Sequence, residues 1–235
     1  MASPLLDPPI GFAHRGARAL APDNTLESFA LALAMGATGL ESDVWLTSDG
    51  VAVLDHDGVV RSGMRRRSIG EVSRADLPPH IPTLASLYAT CGADFDLSLD
   101  VKDPLAGPAV IAVARDVGAE DRLWLCHHRL DTVAGWRPLS AGVRLVDSTR
   151  LRLIKEGPER RAARHHALGV DAVNMHAADW SGGLTVLWHR FGRYAFGWDA
   201  QQPRVIDSLL AMGIDAIYSD HVDRMVDGLA RRRRA

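Results

Sequence analysis

Eight short runs of apolar and β-branched residues recur along the chain, separated by segments of helical period, and this alternation constrains the fold more than any other feature. The runs occupy 11–14, 39–46, 95–101, 122–126, 143–146, 172–175, 194–198 and 216–219. Between them, apolar residues return at three- and four-residue spacing, as in Leu26, Phe29, Ala30 and Leu33, and again in Val205, Leu209 and Leu210. Gly36, Gly118, Gly169 and Gly213 each stand shortly before a strand-like run, where a helix must end and the chain must turn. A strand-helix unit repeated eight times predicts a TIM-type (β/α)8 barrel, and a chain of 235 residues, 47% of them hydrophobic, suits one such domain over 1–235. The polar stretch 57–82 breaks the regularity. It carries Arg61, Arg65, Arg66, Arg67 and Arg74, ends in Pro78-Pro79-His80-Ile81-Pro82, and precedes a helix beginning near Thr83, which predicts a short insertion at the C-terminal face.

The formal net charge of −2 supplies no global positive field, so no nucleic-acid partner is expected. Cys91 and Cys126 are too few for a disulfide framework, which suits a reduced compartment. The first ten residues show no basic and apolar leader pattern, and no apolar stretch reaches a membrane span. The expectation is a cytoplasmic protein without stable membrane insertion; the sequence assigns no oligomeric state.

In a barrel of this type chemistry belongs at the C-terminal strand ends. The first run closes on His14-Arg15-Gly16, an ionisable pair followed by a flexible residue. In the second, Glu41 and Asp43 are two apart and share a face, as do Asp100 and Lys102 at the end of the third. Carboxylates gathered inside a barrel repel and resist desolvation, so Glu41, Asp43 and Asp100 predict a divalent cation, Mg²⁺ or Ca²⁺ by their hard oxygen donors. A competing reading is an ion-pair cluster with Lys102 as counter-charge. Lys102 is one of only two lysines among 27 basic residues, which suggests a need for a compact ammonium there. A further extended run, 51–57, closes on His56, and two mouth histidines would supply proton transfer at both the entering and leaving oxygens of a phosphoryl centre.

The order His14-Arg15-Gly16, Pro22-Asp23-Asn24-Thr25, Glu41-Ser42-Asp43, Thr47-Ser48-Asp49-Gly50, His56-Asp57 and Asp100-Val101-Lys102 resembles the glycerophosphodiester phosphodiesterases. Phe196-Gly197-Trp198 and Ile217-Tyr218-Ser219-Asp220 are similar to that family's last two strand ends. The resemblance implies a barrel that uses one divalent cation to hydrolyse glycerophosphodiesters to glycerol 3-phosphate and an alcohol. It implies His14 and His56 as acid-base pair, Glu41 and Asp43 as metal ligands with Asp100 where glutamate is more usual, and Arg15 and Lys102 at the phosphate. Trp198 keeps the tryptophan of a seventh-strand motif whose remainder here reads Asp199-Ala200-Gln201, and it is a candidate contact for substrate. Two alternatives are a lysophospholipase D-type enzyme acting on lipids, which needs an apolar groove beside the mouth, and a non-catalytic anion-binding barrel.

Other polar residues have local explanations. Asn24 is expected to cap the helix that follows, with Glu27 completing a capping box. His165 and His166, in a run with Arg160, Arg161 and Arg164, are expected on a solvated helix face. His127, His128 and His176 follow the fourth and sixth strands and are candidates for the mouth, whereas Trp45, Trp124 and Trp136 are expected to pack.

Overall fold

Parallel pairing closes the eight runs into a ring. The computed structural model describes residues 3–62 and 65–234. In chain order the elements are β1 (Ile10–His14), α1 (Leu26–Ala34), β2 (Gly39–Leu46), β3 (Ala52–Leu54), β4 (Val59–Ser62), β5 (Arg65–Ser68), α2 (Leu84–Cys91), β6 (Asp96–Val101), α3 (Ala106–Asp116) and β7 (Leu123–His127). Then follow α4 (Leu130–Gly135), β8 (Arg144–Ser148), α5 (Pro158–Leu168), β9 (Ala172–His176), α6 (Gly182–Arg190), β10 (Tyr194–Trp198), α7 (Pro203–Ala211), β11 (Ala216–Ser219) and α8 (Val222–Arg234). Around the ring the order is β1, β2, β6, β7, β8, β9, β10, β11 and back to β1, so all eight expected strands take part. The (β/α)8 expectation is met.

Two apolar layers hold the ring, because successive strand residues face opposite sides. Outward residues such as Leu40, Val44, Leu97, Leu99 and Val101 pack against the helices. Inward, Phe12, Trp124, Phe196 and Tyr218 fill the barrel, with Phe12 and Tyr218 stacked at 4.8 Å between ring centroids. That aromatic plug makes the barrel a floor rather than a pore, and leaves room only above it.

Helix boundaries follow local chemistry. Thr25, Thr83 and Ser181 cap α1, α2 and α6 by accepting from the amides of Ser28, Ser86 and Leu184. Thr25 therefore takes the capping role expected of Asn24. Gly169 closes α5 at φ +66°, the left-handed geometry that a glycine adopts without penalty.

The 57–82 segment stands where expected. β3 pairs antiparallel with the C-terminal half of β2, Leu46 opposite Ala52, and β4 and β5 form a hairpin beyond it. Val60, Ile69, Val72, Leu77 and Ile81 bury one another together with Val53 in a small core of their own. Arg61, Arg66 and Arg67 are exposed; the side chain of Arg65 lies outside the described residues. Among the described residues no helix is long and apolar enough to cross a membrane.

His165 is not on a solvated face. It is fully buried, with Nε2 2.9 Å from Asp147 Oδ2 on β8, and Arg161 places Nε 2.8 Å from the same oxygen. The pattern of α5 conceals this, because its helix is charged nearly all round and buries only Ala162 and His165. Burial lowers the His165 pKa below 6.5 despite the Asp147 carboxylate. Burial opposes ionisation of Asp147, but hydrogen bonds from His165 and Arg161 outweigh it and lower its pKa.

An unfolded chain protonates this histidine near 6.5 while the folded chain does not, so its stabilising share is complete above that pH and is lost as pH falls. The urea midpoint of the wild type should therefore decline from pH 7.5 to 5.5 more steeply than that of His165→Gln, measured by circular dichroism; parallel slopes would contradict it.

Candidate active site

Strand register builds the mouth. His14 lies beside Glu41 across β1 and β2, Glu41 beside Ser98, and Asp43 beside Asp100 across β2 and β6. Residues directly paired on neighbouring parallel strands share a face, and the outer face is taken by Leu40, Val44, Leu97 and Leu99. The polar set must therefore point into the mouth. A cavity of about 310 Å³ opens there, lined on one side by His14, Arg15, Glu41, Asp43, Asp100 and Lys102. Ser148, Asn174, Trp198, Asp199 and Gln201 contribute to the rest of the lining.

Charge is balanced over short distances. Lys102 Nζ stands 2.9 Å from Asp43 Oδ1 and also bonds Asp100 Oδ2. His14 Nδ1 meets Asp220 Oδ1 at 2.5 Å, and its Nε2 lies 3.8 Å from Glu41 Oε2. Burial pushes Glu41 up to about 7, with Asp43 and Asp100 adding to the effect and His14 opposing it. Burial alone would depress His14, but Glu41 and the Asp220 hydrogen bond raise it above 6.5. Lys102 is also raised, Asp100 and Asp43 outweighing its desolvation. Asp220, half-buried at the end of β11, is held low chiefly by His14.

Backbone geometry at Arg15-Gly16 matters as much as the side chains. Arg15 takes φ +53°, which turns its amide to donate to Glu41 Oε2 at 3.0 Å while Nε reaches to 3.2 Å from Asp43 Oδ2. Gly16 follows at φ +81°, where an added Cβ would fall 2.4 Å from Ser28 Oγ and 2.7 Å from the Ser28 carbonyl carbon. Only a residue without a side chain fits.

Asn24 belongs to the site. Buried at φ +54°, it donates from Nδ2 to Asp43 Oδ2 at 3.4 Å and accepts from Ser42 Oγ at 2.7 Å, fixing the orientation of Asp43. Its position just before a helix makes a cap the cheaper sequence explanation. Asp220 also has no signal in isolation; its role appears only when ring closure brings β11 beside β1.

All the expected site residues line the cavity except His56. That side chain is 45% exposed and pairs with Asp57 at 2.8 Å, on the segment after β3. Of the other candidates, His176 bonds Asp199 at 3.0 Å and meets Trp198 edge to face at 4.5 Å. His127 is buried against Trp136. Trp124 and Trp136 pack as expected.

Among the described residues no three His, Cys, Asp or Glu side chains stand in a ready-made metal cage. The donor set nonetheless suits a hard cation: three carboxylates converge, all oxygen donors, and the upward shift of Glu41 reflects burial plus excess negative charge around it. Binding would require Asp43 or Asp100 to share or release Lys102.

Comparison with known proteins gives likenesses in sequence and in fold. The "Glycerophosphoryl diester phosphodiesterase family" matches residues 14–84. A Mycobacterium tuberculosis protein named "Probable glycerophosphodiester phosphodiesterase 2" is 29% identical over 248 aligned positions, covering 95% of this chain and 91% of its own. Both likenesses point to the glycerophosphodiester phosphodiesterases. The solved Thermotoga maritima glycerophosphodiester phosphodiesterase shares the fold with TM-score 0.79 at 22% identity, over 93% of this chain and 97% of its own. An Oleispira antarctica phosphodiesterase, solved with its product sn-glycerol-3-phosphate, matches equally with TM-score 0.79 at 20% identity, over 94% and 97%.

Gly16→Ala should lower the unfolding free energy by about 2 kcal/mol or more, from left-handed strain and the Ser28 collision together. A change below about 0.5 kcal/mol in denaturant unfolding would show that the turn relaxes.

Proposed function

We propose that this chain is a divalent-metal-dependent glycerophosphodiester phosphodiesterase, releasing glycerol 3-phosphate and an alcohol. The observation that carries the reading is the convergence of His14, Arg15, Glu41, Asp43, Asp100 and Lys102 on one cavity at the C-terminal end of the barrel. The family-model match over residues 14–84 supports it, as do the likeness to a Mycobacterium tuberculosis protein named "Probable glycerophosphodiester phosphodiesterase 2" and that to an Oleispira antarctica phosphodiesterase that holds sn-glycerol-3-phosphate.

Glu41 and Asp43 would hold the cation, with Asp100 directly or through a water. When bound, the cation supplies Lewis-acid stabilisation to the phosphoryl oxygens. Arg15 and Lys102 place two positive charges at the same cavity, where they draw off negative charge as it builds on the phosphate. His14 is the proton-transfer group inside the cavity; Asp220 fixes its ring by taking Nδ1 and leaves Nε2 toward the interior. His56, at the rim, is the second. One imidazole removes the proton of the attacking oxygen while the other protonates the alcohol oxygen as its bond to phosphorus breaks. Water is consumed overall.

Water-soluble diesters fit better than lipids. The apolar residues of the 57–82 segment are spent on their own core, and the cavity lining is mostly polar. This favours the glycerophosphodiester reading over a lysophospholipase D-type one.

Glycerol 3-phosphate released from glycerophosphocholine, read by a coupled enzymatic assay, should fall to background in excess EDTA and return with Mg²⁺ or Ca²⁺; full activity in chelator would remove the metal. His14→Ala and His56→Ala should each reduce kcat by about 10²-fold or more, and the wild-type pH profile should be bell-shaped. An unchanged rate in His56→Ala would take that residue out of the reaction.

A further inference from the structure

The half of the cavity facing away from the acidic strands is lined by Ser148, Asn174, Trp198, Asp199 and Gln201. In the ring, β9 stands opposite β2, so Asn174 looks across the mouth toward Glu41 and Asp43. Ser148 on β8 is its direct neighbour in register. Asn174 is 7% exposed, and its Oδ1 is buried without a hydrogen-bond partner in the protein. A buried amide oxygen with nothing to accept from is unfavourable unless a ligand or water supplies a donor. The position lines an open cavity, so a ligand can supply it.

A second hollow of about 690 Å³ continues from this wall. It shares Asp199 and Gln201 with the mouth cavity; beyond them its lining is mixed, with His176, Arg204 and Ser208 beside Trp180, Leu209 and Met212. Asp199 is held at φ +64° with its carboxylate bonded to His176. Trp198 is braced from two sides, His176 at its edge and the Arg150 guanidinium 5.6 Å over its ring, while Arg150 is itself fixed by Asp179 at 2.6 Å. The wall is therefore a rigid surface of amide, hydroxyl, carboxylate and indole groups.

We infer that Ser148, Asn174 and Asp199 form a subsite for the alcohol arm of the diester, and that the arm it selects is a polyol such as glycerol or inositol. This rests on the diester reading above. Hydroxyls both donate and accept, so they satisfy the Asn174 amide, the Ser148 hydroxyl and the free lone pairs of Asp199 together. A trimethylammonium group satisfies Asp199 by charge alone and leaves Asn174 unpaired in a site it has emptied of water.

The test compares glycerophosphoinositol and glycerophosphoglycerol with glycerophosphocholine, three diesters with the same glycerol 3-phosphate half. Wild-type kcat/KM should favour the polyol diesters by about tenfold, the worth of one satisfied buried hydrogen bond. Asn174→Leu should erase that preference, lowering the polyol values about tenfold and the choline value by less than about threefold. Ser148→Ala, which adds no volume, should narrow the preference in the same direction if Asn174→Leu does not fold. Equal losses on all three diesters, or a wild-type preference for choline, would overturn the subsite. Calorimetric binding of the same diesters to His14→Ala separates the two claims. Polyol-selective binding with no hydrolysis of any diester by the wild type would sink the activity and keep the subsite, whereas unselective binding would sink the subsite.

Discussion

The site depends on holding several carboxylates together at the top of an aromatic-filled barrel, where water is partly excluded. Carboxylates so close together in partial burial need positive charge beside them, and Lys102, Arg15 and His14 bring it to Glu41, Asp43 and Asp100. His14 and Arg15 stand at the end of β1 and Lys102 at the end of β6, so the balance needs both strands paired against β2. Local ordering follows from the same need: the turn at Arg15 offers an amide to Glu41, and Asn24 offers another donor to Asp43. The acid-rich mouth is ordered by protein donors that limit how freely the carboxylates can move.

Most of this architecture is written in short-range pattern. Strands read correctly because parallel barrel strands are apolar on both faces, and their ends stand out where Glu41, Asp43, Asp100 and Lys102 interrupt the run. Parity along β2 and β6 was enough to put those side chains on one face. The misread Asn24 and His165 and the unassigned Asp220 share a cause: all three act through partners far away in sequence. Asn24 reaches Asp43 across 19 positions, His165 reaches Asp147 across 18, and His14 reaches Asp220 across 206. A polar residue beside a helix start, or inside an arginine-rich helix, gives no local sign of such a partner. His56 shows the converse: its sequence context links it to His14, yet the fold leaves its imidazole on the exposed rim.

The two halves of the mouth solve different problems. Strands β1, β2 and β6 gather charge and bind it tightly within the protein, while β8, β9 and β10 present polar groups with unused hydrogen-bonding capacity. Phosphate chemistry needs the first arrangement, since charge must already be in place when the transition state forms. Discrimination among neutral groups needs the second, since unpaired donors and acceptors penalise the wrong partner.

The miniature core of Val53, Val60, Ile69, Val72, Leu77 and Ile81 gathers the apolar residues of the rim segment and meets the ring through Trp45 at the end of β2. Its apolar surface is already satisfied, so lengthening, trimming or replacing the β4–β5 hairpin transmits little strain to the strands below, and loop length itself carries only a slowly growing entropic penalty. Access to the opening is thus a modular trait that can diverge while the reaction centre stays as it is.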